Sequence, residues 1–86
     1  MKKIAEYKVK LPDYSLSYLI NGDSSGLEEE EIKAIDSYMS EFYQIADKNN
    51  GDVIISPEYD FDSYFTWSPA FGLACNVVDT TILIVK

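Results

Sequence analysis

The chain reads as an α+β two-layer domain, a small and mostly antiparallel sheet of three to four strands packed by one long and one short helix, in the order β-α-α-β-β-β. Three observations predict it. Apolar residues recur at three-and-four spacing in the middle of the chain, strict alternation marks its start, and a β-branched run closes it. The helical signals are thus segregated from three consecutive strand signals near the C-terminus, and 86 residues allow one domain, residues 1–86, with a stability of about 5–10 kcal/mol.

Residues 4–11 alternate, Ala5, Tyr7, Val9 and Leu11 on one side and Glu6, Lys8 and Lys10 on the other, as a half-buried strand requires. Pro12 ends it. Asp13 or Ser15 can then cap a short helical turn in which Leu16, Leu19 and Ile20 share a face, closed by Asn21 and Gly22.

The central stretch, Leu19 to Ala46, organises the rest. Ile32, Ile35, Met39, Phe42 and Ala46 form one apolar stripe, with Tyr38 and Ile45 beside it and Glu30, Lys33, Ser37, Glu41, Gln44 and Lys48 opposite. The acidic run Glu28 to Glu31 lies where the helix dipole favours negative charge. With Glu28 as N-cap, Leu27 and Ile32 occupy the staple positions and Glu31 the capping-box position; Ser25 with Glu28 is the competing box. Asn49, Asn50 and Gly51 tolerate the left-handed C-terminal conformation, so the helix is placed at about Glu28 to Lys48.

Val53 to Ser56 is a β-branched run that Pro57 terminates. A second alternating segment follows, Tyr59, Phe61, Phe65 and Trp67 interleaved with Glu58, Asp60, Asp62, Tyr64 and Thr66, and it fits either one strand or a strand entered through an extended loop. Ser68 to Gly72 is a turn. Val77 to Val85 is the last strand, and its apolar end on both faces marks it as central or covered.

Composition excludes several functions. The net charge of −8 is uneven, +3 over residues 1–10 and −11 beyond, and such a surface repels nucleic acid and anionic membranes while attracting a basic protein. The N-terminus lacks the apolar segment of a signal peptide, the longest apolar run is far too short for a membrane span, and the lone Cys75 forms no internal disulfide, so a cytoplasmic setting is expected.

The absence of histidine removes the usual general base and all Ser/His/Asp and Cys/His arrangements. Lys33 and Lys48 read as solvated, and Cys75 as a small core residue. Asn21, Gly22, Asp23 and Gly26 read as a structural turn, because neither EF-hand nor P-loop spacing is met from this loop or from Asp60 and Asp62. No catalytic residue, metal site or cofactor is expected.

If Glu58, Asp60 and Asp62 share one strand, their carboxylates project on one side about 6.8 Å apart. With Glu28, Glu29, Glu30 and Glu41 they make a candidate partner-binding surface, one mode of which is imitation of a nucleic-acid backbone. The competing reading is a solvated acidic face that keeps a small protein soluble. The aromatics among them lack the positive groove of a single-strand binder and belong to the core or to a protein interface.

The run LINGDSSGL at Leu19 to Leu27, followed by Glu30-Glu31-Ile32, and the stretch Phe71 to Val78 resemble a family of small uncharacterised acidic bacterial proteins carried on plasmids, conjugative elements and prophages. The family pattern has serine, threonine or aspartate after SGL, where this chain has Glu28. The resemblance implies no assigned activity and no catalytic residue. It raises the expectation of a protein that blocks host defence or modulates a DNA-handling complex. The sequence therefore leads to a non-enzymatic accessory protein that binds a basic protein partner, with a scaffold or homodimerisation module as the alternative and a metal-dependent or carboxylate enzyme as the least favoured reading.

Overall fold

The longest strand is the last, and the rest of the sheet is assembled on it. A computed structural model describes residues 2–58 and 62–86. The elements run β1 (Lys3–Pro12), α1 (Asp13–Asn21), α2 (Glu29–Lys48), β2 (Asp52–Pro57), β3 (Tyr64–Ser68) and β4 (Leu73–Val85). This is the expected α+β order, with all strand pairs antiparallel.

β4 pairs with β1 from Pro12↔Val77 to Lys3↔Val85, with β2 from Pro57↔Thr80 to Asp52↔Val85, and with β3 from Tyr64↔Val77 to Ser68↔Leu73. Val77 is paired with Pro12 and with Tyr64, so β3 lies on the side of β4 that β2 occupies. β4 is consequently flanked on both sides over most of Val77 to Val85. The strand is central, as the apolar residues on both faces of its end predict.

The alternation decides which face meets the helices. Ala5, Tyr7, Val9 and Leu11 of β1 stand opposite Ile84, Ile82, Thr80 and Val78, and Val53 and Ile55 of β2 opposite Ile84 and Ile82. Against them α2 lays its stripe, with Ile35, Met39 and Ala46 buried and Ile32, Phe42 and Ile45 half-buried. The Phe42 ring meets Tyr7 edge-on at 5.1 Å and Tyr38 at 5.6 Å. A second cluster of Leu11, Leu16 and Val78 gathers Val9, Leu19, Tyr38, Ile55 and Phe71 where α1 meets the sheet.

Both helix boundaries are chemically determined. Glu28 is the N-cap of α2, and the carboxylate of Glu31 accepts the Glu28 N–H at 2.9 Å, the return bond of a capping box. α1 begins at Asp13 with Pro12 as N-cap and no side-chain cap bond, whereas Ser15 is buried and donates its hydroxyl to the Pro12 carbonyl at 2.7 Å. Neither Asp13 nor Ser15 is therefore the cap. Ile20, expected beside Leu16 and Leu19, is largely exposed. After α2, Asn50 takes positive φ, and Gly51 has no room for a side chain, because a Cβ there would collide with the Val85 carbonyl oxygen.

Candidate functional site

The sheet continues past the cover of the helices as a hairpin of β3 and the first residues of β4, turned by residues 69–72 with Gly72 at φ +65°. The Phe71 and Gly72 N–H groups both donate to the Ser68 carbonyl, at 3.2 and 2.8 Å. The tip returns to the body of the domain. The Phe71 ring lies 5.3 Å from Tyr38, and the buried Ser68 hydroxyl donates to the Lys10 carbonyl at 3.5 Å.

The base of the hairpin is pinned from the other face. The Lys10 ammonium donates to the Tyr64 hydroxyl oxygen at 2.8 Å and to Asp79 Oδ1 at 3.3 Å, and the Tyr64 hydroxyl donates to the same Oδ1 at 2.7 Å. One residue from each of β1, β3 and β4 thereby forms a closed polar triangle. The Tyr64 hydrogen bond, followed by Lys10, holds the Asp79 carboxyl below the usual carboxylate range, and the same tyrosine, then Asp79, raises the Lys10 ammonium. Lys8, two residues along, donates to Thr81 Oγ1 at 2.8 Å. Lys8, Lys10, Asp79 and Glu58 line an open recess of about 320 Å³ on the sheet face away from the helices. The recess holds no grouping of side chains suited to a nucleophile or a metal. Among the described residues, no cluster of three cysteine, aspartate or glutamate side chains that could hold a metal ion is present.

The exposed feature of the hairpin is aromatic. Phe65 and Trp67 project from one face of β3, 71% and 60% exposed, opposite Asn76 and Ala74, which are exposed too. Large apolar groups left in water side by side on a regular strand are uncommon in a small domain, and tryptophan and tyrosine dominate binding hot spots. Residues 49–85 contain no lysine or arginine and five carboxylates. The aromatic pair therefore sits in a stretch of sequence without a cation, and the cation brought to the hairpin base is Lys10 of β1, at Tyr64.

The candidate carboxylates do not gather on this hairpin. Glu28, Glu29 and Glu30 are exposed at the start of α2, where Glu29 is 3.4 Å from Lys33, and Glu41 is exposed further along the helix. Glu58 and Asp62 are exposed but lie outside the strands, on either side of the Tyr59, Asp60 and Phe61 positions, which are outside the described residues. A row of carboxylates along one strand is not formed by Glu58 and Asp62, and the strand is the one entered through an intervening segment. The reason is register: two β4 residues separate the β2 and β3 ladders, whereas six residues, 58–63, separate the strands themselves.

The Asn21, Gly22, Asp23 and Gly26 turn is a built backbone structure. Gly22 takes φ +71° and donates its N–H to the Tyr18 carbonyl at 2.9 Å, while the Asp23 carboxylate accepts from the Ser25 hydroxyl at 2.6 Å and the Ser25 N–H at 3.0 Å. Those bonds, the hydroxyl first, hold Asp23 below its ordinary pKa. Cys75 is half-buried, and burial pushes its thiol up, followed by the nearby Asp13, which is the opposite of activation. No described helix is long and apolar enough to cross a membrane.

Sequence reasoning left the aromatics to the core or to a protein interface without deciding between them. Phe65 and Trp67 alternate like core residues, but among the described residues no element covers them and they stand in solvent. No curated protein and no solved structure matches the chain. Residues 8–85, nearly the whole of it, match the model of a domain of unknown function, DUF6926, and the chain belongs to that family.

Proposed function

We propose that this protein is a non-enzymatic protein-binding module that recognises a basic partner through the aromatic face of the β3 hairpin. The observation that carries the reading is the joint exposure of Phe65 and Trp67 on a chain of net charge −8. Burying two large rings supplies the non-directional part of the affinity, and the surrounding negative field selects a cationic approach and speeds it. Glu58 and Asp62 are the nearest carboxylates in sequence to the face. Glu28, Glu29, Glu30 and Glu41 on the helix layer strengthen the long-range field. A cytoplasmic bacterial accessory protein of a mobile element, acting on a defence or regulatory factor, is the setting that the LINGDSSGL resemblance suggests.

The test is photo-crosslinking in cells from a benzoylphenylalanine at position 65, with a second probe at position 48 on α2 as the control. The expected result is a covalent protein adduct from position 65, reduced at least fivefold by the double substitution Glu58→Lys and Asp62→Lys. Adducts of equal intensity from both positions, or none from position 65, would refute it.

A further inference from the structure

We infer that the partner element is a short, extended, lysine- or arginine-rich peptide segment that adds as a strand to the outer edge of β3. This rests on the protein-binding reading above and specifies its geometry. Among the described residues β3 pairs only with β4, so its other edge offers backbone donors and acceptors over Tyr64 to Trp67, stopping short of Ser68, which is buried against the Lys10 carbonyl. That edge has none of the usual protection. β1, the opposite edge strand, carries Lys3, Lys8 and Lys10, whereas Tyr64 to Ser68 contains no charge, no proline and no glycine.

Size and charge choose the occupant. The exposed parts of Phe65 and Trp67 amount to on the order of 300 Å², and β3 is about 17 Å long. A stable dimer of folded partners needs about 800 Å² from each side, so the face suits a peptide segment better than a second copy. Two copies would also bring together chains of net charge −8, with no lysine in either hairpin to offset them. A strand with alternating lysine and apolar residues matches both requirements. Its apolar side chains cover Phe65 and Trp67, and its lysines, on the other face, are drawn by the chain's net charge of −8.

Trp67 is the single tryptophan, so its emission reports directly on the face. The probe is an acetylated, amidated heptapeptide alternating lysine with valine, titrated into the full chain at low salt. The expected result is a saturable blue shift, with chemical-shift changes at the amides of Tyr64 to Trp67. Affinity falls at least tenfold when glutamate replaces lysine and when every peptide nitrogen is methylated, and at least fivefold in Phe65→Ala. No saturable change at millimolar peptide would overturn the inference. So would shifts confined to the amides of β1 or β2, or a Trp67 shift that follows protein concentration alone together with a dimer in sedimentation. Equal binding of the methylated peptide refutes strand addition but leaves docking on the aromatic face intact, whereas failure of the position 65 crosslink removes the broader reading.

Discussion

The two ends of β4 are one continuous strand under two different regimes. From Val77 to Val85 it is flanked by β1 on one side and mainly by β2 on the other, helices cover one face, and Val77, Val78, Thr80, Ile82, Ile84 and Val85 are buried. From Leu73 to Asn76 it pairs only with β3, and Leu73, Ala74 and Asn76 are exposed. Hydrogen-bonded pairing is satisfied in both. Burial is not, because a ladder satisfies backbone polar groups while only a covering layer removes side chains from water. The first end is buried, and the second leaves the aromatics of its partner strand β3 in solvent.

Three variants break or sharpen that contrast. Ile82→Ala removes a fully buried side chain opposite both Tyr7 and Ile55, and costs about 3–4 kcal/mol in urea unfolding, a large share of the stability of a domain this small. Tyr64→Phe acts at the junction of the two regimes. The folded Asp79 carboxyl lies below its unfolded value, so its contribution to stability is complete above about pH 4 and is lost as the pH falls through the folded pKa. Removing the Tyr64 hydroxyl raises the Asp79 pKa toward the ordinary range and flattens that acid limb, measured by NMR titration and by melting temperature from pH 2 to 6. The smallest effect comes from Phe65→Ala with Trp67→Ala. These residues are mostly in solvent, so stability changes by less than about 0.5 kcal/mol per site. A loss as large as that of Ile82→Ala would assign the aromatics to the core and remove the contrast.

Much of the architecture was legible because it rests on local periodicity. The stripe Ile35, Met39 and Ala46 and the alternation Tyr7, Val9 and Leu11 each require one face to be covered, and they meet in the fold as their spacing demands. The N-cap at Glu28 and the Asp23 turn were readable too, since every partner lies within a few residues. Less legible was the segment from Glu58 to Trp67. Its alternation fits one acidic strand, but strand pairing with a distant part of the chain decided that Glu58 and Asp62 stand outside the ladder.

The sequence by itself determined the order of elements, the buried stripes, the turn glycines and a net charge of −8, because propensity, spacing and charge are local or additive. Tertiary structure alone decided that Lys10, Tyr64 and Asp79 converge from three strands, and that Phe65 and Trp67 remain in water. Each of these depends on which element lies above or beside a residue. Alternation specifies that one face of a strand is apolar, but it cannot specify what will cover that face.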